Sequence, residues 1–228
     1  HALADAGAGE AAWRSAHLPG AGHAHLDRDL SDHRKPSALG RHPLPDAADF
    51  NRTLARLGVS PGSQVVAYDA GDGSMAAARF WWLLRSMGHA HVAVLDGGVA
   101  AWQALGQAME STPPVIAPGH YDGRFDAARV ATAQDVEARL GEAPGWLLDA
   151  RAPERFRGDV EPLDPVAGHI PGALNRPLSA NLEAGRFKSP AALRTEFEAL
   201  IGGRAPADVV LSCGSGVTAC HNLLAMAH

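Results

Sequence analysis

Both cysteines of this 228-residue chain fall in one short stretch, "LSCGSGVTAC" at 211–220. Cys213 stands between the apolar run "VVLS" (209–212) and a loop holding Gly214 and Gly216, ahead of the helix-patterned "VTACHNLLAMA". Strand, glycine loop and helix in that order put the sulfur at a strand's carboxyl end, where open α/β sheets place their ligands. Glycines let successive amides turn inward, and such a nest backed by a helix N-terminus stabilises an anion on sulfur. The thiolate is the nucleophilic form, so the implied chemistry is attack by Cys213 on an electrophilic atom. The bland alternative is a cysteine packed as a small hydrophobe. Spacing alone leaves both open for Cys213, whereas Cys220, two helical turns further on, reads as a packed residue.

The elements that must position this thiol occur twice. "AHLPGA" at 16–21 returns as "GHIPGA" at 168–173, and "QVVAYDAGDGSMAAA" at 64–78 aligns with "DVVLSCGSGVTAC" at 208–220, with Asp69 over Cys213. The repeat predicts two copies of one domain, 1–110 and 126–228, joined by a Pro/Gly-rich linker at 111–125. Asp69 at the first copy's turn tips the balance for Cys213: one copy keeps the chemistry, the other the scaffold. Short apolar runs at 65–68, 92–95, 146–150 and 209–212 read as buried parallel strands. Helical periodicity covers 46–58, 74–88, 132–141 and 189–203, with Ser189 as an N-cap and Pro190 at the first helical position. Strands separated by helices predict an α/β fold with a mainly parallel sheet flanked by helices in each copy. Phe80, Trp81 and Trp82 read as core.

Composition narrows the function classes. A net charge of −5 with no basic run gives no reason to expect nucleic acid or a membrane surface. No apolar stretch reaches the length of a membrane span, and two cysteines seven apart are no disulfide framework, so a cytoplasmic, reducing setting is expected. One cysteine without Cys/His ligand spacing around it predicts neither metal nor cofactor. The missing initial Met and the stop at "LLAMAH" read as a chain incomplete at both ends.

"CGSGVTA" (213–219), "DARAPERFRG" (149–158) and "GHIPGALNRP" (168–177) together resemble the catalytic half of the two-domain rhodanese superfamily, within it the 3-mercaptopyruvate sulfurtransferases. "AHLPGA", "YDAGDGSMAAARFWWLLRSMGH" (68–89) and "VLDGGVAAW" (94–102) are similar to the non-catalytic half. The resemblance implies that Cys213 takes the outer sulfur of a small donor, becomes a persulfide, and passes the sulfur to cyanide or a thiol, thioredoxin among them. It implies a cradle from the amides of Gly214, Ser215, Gly216, Val217 and Thr218. Ser215 matches a hydrogen-bonding or proton-relay serine, and "RHPLP" (41–45) a stretch that delivers a histidine, here His42, to protonate the pyruvate enolate. An acidic partner for His42 falls near Asp27 or Asp29. The uncharged Gly214 and Ser215 contrast with the paired cations after the cysteine of thiosulfate enzymes.

Arg155 matches an arginine that binds the donor's carboxylate; an ion pair with Glu154 or Asp159 is its plainer reading. Here the chain departs from the pattern. Where members carry a second arginine nine residues on, position 164 is Asp and the loop is two residues short, so Arg157 or Arg176 would have to substitute. Thiosulfate sulfurtransferase and a non-enzymatic persulfide carrier stand as alternatives. A C-x5-R phosphatase requires arginine where this chain has Ala219.

Overall fold

The computed structural model describes residues 7–228, so the opening six residues of the expected first domain lie outside the described residues. The chain forms two units, one ending at Asp126 and the other running Ala127–His228.

In the first unit, strands β1 (Val65–Ala67) and β2 (Val92–Val94) pair in parallel, Val65 opposite Val92. A parallel pair needs a crossover, which α4 (Ala76–Ser86) supplies between them. Its apolar residues from Ala76 to Leu84 are all buried, Trp81 and Trp82 included, so α4 is a core helix. Before this pair come α1 (Ala8–Ser15), α2 (Leu26–Asp29) and α3 (Ala47–Arg56); α5 (Gly98–Ala104) follows it. In α3, Phe50, Thr53 and Leu54 are the buried residues, a spacing that makes one helical stripe. The Pro/Gly-rich stretch 111–125 has no helix or strand, and it is tied along this unit. The Gly119 amide donates to the Ala55 carbonyl (2.7 Å), Asn51 and Gly123 exchange two hydrogen bonds, and Phe125 stacks on Phe50.

In the second unit, β3 (Leu147–Asp149) lies between β4 (Leu174–Asn175) and β7 (Val210–Ser212), all parallel. Successive strand side chains point to opposite faces. Leu148 packs with Leu193, Phe197 and Ile201 of α8 (Pro190–Ile201) and Ala225 of α9 (Ala219–Ala227). Leu147 and Trp146 pack the other way, against Val136 of α6 (Ala133–Glu137) and Phe156 of α7 (Pro153–Arg157). Helices therefore cover both faces of the sheet. The Ser189 hydroxyl accepts the Ala192 amide and caps α8, as expected.

Two local expectations differ. Helix α6 stops at Glu137, short of residue 141; it is opened by a Thr132–Asp135 capping box, but Ala138 is exposed and Leu140 is 39% exposed, so no buried face remains to extend it. The hairpin of β5 (Leu182–Glu183) and β6 (Arg186–Phe187) is an addition to the parallel pattern, turned at Ala184 and Gly185, both at positive φ. Among the described residues no helix is long and apolar enough to cross a membrane.

Candidate active site

Cys213 follows β7 directly, and the loop after it ends at Ala219, where α9 starts. Gly216 takes φ +72°, a left-handed conformation open to glycine, and so turns the loop back on itself. The result is two amides aimed at one sulfur: Gly216 N–H donates to Cys213 Sγ at 3.0 Å and Ser215 N–H at 3.5 Å. Val217 is fully buried, anchoring the loop from below, and Thr218 sits at the head of α9. Cys213 itself is half-buried, so a small molecule can reach it. Cys220 is buried, and its thiol donates to the Gly216 carbonyl at 3.2 Å, bracing the same turn.

The first unit repeats the arrangement with a carboxylate. Asp69 follows β1; its Oδ1 accepts the amides of Gly71 (3.1 Å) and Gly73 (2.9 Å), and its Oδ2 those of Met75 (3.3 Å) and Ala77 (3.4 Å). A strand-to-helix loop that gathers four N–H groups around a buried anion is an anion cradle by construction. The twin loops share the device and differ in the atom it holds, carboxylate oxygens in one and a sulfur in the other. The repeated histidines correspond too: His17 Nδ1 bonds the Trp13 carbonyl and His169 Nδ1 the Phe156 carbonyl, each at 2.7 Å.

Arg155, on α7, follows β3, the strand parallel to and next to β7, so its segment leaves the sheet at the same carboxyl end of the strands as Cys213. Its guanidinium is engaged. It donates to Glu161 (2.7 Å) and to Asp164 (3.0 Å), not to Glu154 or Asp159. Glu161 in turn accepts the amides of Leu163 and Asp164, both at 3.0 Å, and reaches Arg151, which is paired to Asp149 at 2.7 Å. The Arg155 side chain beside it holds the Glu161 carboxyl down to about 2. Two guanidiniums thus meet three carboxylates, and Asp164 is one of them. Neither substitute cation stands in: Arg157 is exposed and paired with Asp159, and Arg176 is buried against Asn181, Glu196 and the Phe197 ring.

His42 belongs to the first unit and is buried. Its Nε2 lies 3.3 Å from Asp27 Oδ1, which selects Asp27 over Asp29; Asp29 is bound by Arg56 instead. Burial pushes the His42 imidazole below its ordinary range, with Asp27 opposing. Arg79, buried on α4, donates to the His42 carbonyl at 3.1 Å and fixes the main chain there.

Sequence reasoning passed over Glu161, Arg151 and the buried trio Asn181, His221 and Asn222, which ties α9 to the Arg176 segment. For Arg151 the available signal was charge pairing within "DARAPERFRG"; Glu161 and the trio lie outside that stretch.

The rhodanese-like domain profile matches residues 3–105 and 132–228. The chain is 48% identical over 227 residues to a probable 3-mercaptopyruvate sulfurtransferase of Pseudomonas aeruginosa, covering 99% of this chain and 80% of that protein. It is 41% identical to the putative thiosulfate sulfurtransferase SseB of Mycobacterium tuberculosis, covering 96% and 77%. The crystal structure of the 3-mercaptopyruvate sulfurtransferase SseA from Escherichia coli superposes with a TM-score of 0.82 at 33% identity, covering 99% of this chain and 82% of that one. A thiol loop, its carboxylate twin and these likenesses lead to one conclusion: the chain belongs to the rhodanese-like family, and it is a sulfurtransferase.

Proposed function

We propose that this sulfurtransferase takes its sulfur from 3-mercaptopyruvate, carries it as a persulfide on Cys213, and delivers it to a small thiol, to cyanide or to a thiol protein such as thioredoxin, in the cytoplasm. The observation that carries the proposal is the pair of amides converging on Cys213 Sγ. They stabilise the thiolate before attack and the terminal sulfur of the persulfide after it, since both put negative charge within reach of the same donors.

In the first half-reaction the Cys213 thiolate attacks the donor sulfur. A sulfur–sulfur bond forms, the carbon–sulfur bond breaks, and its electron pair leaves on carbon as the pyruvate enolate. A proton then reaches that carbon. His42 Nδ1 has no hydrogen-bond partner among the described residues, while Asp27 orients Nε2. These features equip His42 to hold and release a proton, and the Ser215 hydroxyl, on the Cys213 loop itself, is suited to pass one on. In the second half-reaction the acceptor attacks the outer sulfur, and Cys213 leaves as thiolate. The uncharged Gly214 and Ser215 favour this donor over thiosulfate, a dianion that calls for cations.

Arg155 is the group in this unit suited to the donor's carboxylate. Because Glu161 and Asp164 hold it, the donor has to share or displace one of them, which predicts a weak grip. That favours, as a second reading, delivery of persulfide sulfur by a partner. Mixing the protein once with each donor and weighing the intact chain separates these readings. A gain of one sulfur on Cys213 from mercaptopyruvate supports the first; no gain from mercaptopyruvate or thiosulfate leaves the carrier.

A further inference from the structure

We propose that Asp27, His33 and His42 form a binding site for a divalent transition ion of the zinc class. His33 Nε2 and His42 Nε2 each lie 3.3 Å from the same atom, Asp27 Oδ1, and the three donor atoms fall within 4.8 Å of one another. That spacing is long for a charge-assisted hydrogen bond, which closes to about 2.7–2.9 Å. It equals the edge of a metal tetrahedron: zinc bonds of about 2.0–2.1 Å place neighbouring donors about 3.3–3.5 Å apart. Two imidazoles converging on one carboxylate oxygen offer a donor set that zinc, cobalt and nickel accept and magnesium or calcium do not favour.

The donors are held in place before any ion arrives. Asp27 sits in the short helix α2, whose first turn is capped by His25 accepting the Asp27 amide at 3.1 Å. The His42 carbonyl is pinned by Arg79, and the Asp32 amide donates to the Pro43 carbonyl at 2.9 Å, which joins the two segments carrying His33 and His42. The two rings meet edge to face at 5.6 Å. The His33 side chain is 50% exposed, so an ion can enter from solvent, while the buried His42 forms the floor. Arg41 and Arg79 lie near enough to act on His42, which moderates the affinity without removing a donor. Within the reading of His42 as proton source, an ion shared by Asp27 and His42 Nε2 keeps the imidazole from taking up the second proton that it would give away; the site itself does not depend on that reading.

The test is direct binding to the Cys213→Ser chain, which removes the exposed thiol from competition. Titration with cobalt(II) should give the visible ligand-field absorption of a low-coordinate site, saturating at one equivalent and abolished by zinc. His33→Ala, an exposed change outside the sulfur-transfer residues, should weaken binding by at least about tenfold. His42→Ala should do the same. Absence of a saturable cobalt band, or a band that survives His33→Ala at unchanged affinity, overturns the proposal. Sulfur loading of the unmutated chain, followed separately with and without zinc, tests the His42 reading: a zinc-bound chain that still releases pyruvate at full rate would overturn that reading and leave the site standing.

Discussion

Replacing Asp164 with Asn asks whether the carboxylate paired with Arg155 sets donor affinity. Asp164 Oδ2 lies 3.0 Å from Arg155 Nη2, and the two side chains are 21% and 16% exposed. Opposite unit charges about 4 Å apart interact by about 4 kcal/mol at an effective dielectric of about 20. Most of that is lost to desolvation and screening, and measured pairs at exposed positions are worth about 0.2–1 kcal/mol. Glu161 stays in place, and the Asp164 amide that it accepts is main chain, so the loop survives the substitution. The neutral side chain should therefore free the outer edge of Arg155 and strengthen binding of a carboxylate donor by about 1 kcal/mol. That is about a fivefold fall in KM for mercaptopyruvate with kcat little changed, because the contact is already made in the ground state. Asp164→Arg should lower KM further. Initial rates with one thiol acceptor at fixed ionic strength decide it. If KM is unmoved in both variants, Arg155 does not receive the donor's carboxylate, and the account of this corner is wrong.

Other expected outcomes are these. Cys213→Ser should abolish sulfur loading by intact mass while the thermal unfolding midpoint stays put, since the residue is half-buried and loses little packing. Gly216→Ala forces a Cβ onto φ +72° and tilts the amide now 3.0 Å from sulfur; loading should slow by about a hundredfold, the usual cost of one preorganised donor. Glu161, whose folded value lies near 2 against an ordinary 4.5, contributes stability that is full above about pH 4.5 and drains away as pH falls towards 2. Denaturant midpoints measured across that window should fall more steeply for the native chain than for Glu161→Gln. Asn222→Ala removes one hydrogen bond from the fully buried Asn181 and leaves the Arg176 carbonyl without its side-chain donor, and should cost about 1–3 kcal/mol by urea unfolding.

Much of the fold was legible because it rests on local rules. The strands at 65–67, 92–94, 147–149 and 210–212 stand inside the apolar runs that announced them, and Ser189 caps its helix where the Ser-Pro pair said it would. The strand–glycine–helix grammar around Cys213 and Asp69 is likewise local, so the cradle could be read twice from the letters alone. The hairpin at 182–187 escaped notice, since two-residue strands carry no period. The end of α6 depended on whether Leu140 had anything to pack against, which is not written in its own segment.

The sequence by itself determined that Cys213 ends a strand ahead of a glycine loop, because both lie within a few residues along one turn; of the five amides expected around the sulfur, those of Ser215 and Gly216 donate to it. Only the tertiary structure decided who holds Arg155, which aspartate faces His42, and that His33 shares that aspartate's oxygen. Those are choices among many charged side chains at similar separations along the chain. Nothing in residue type or spacing ranks Asp27 above Asp29, or Glu161 above Glu154, until folding has brought one within about 3 Å and turned the other away.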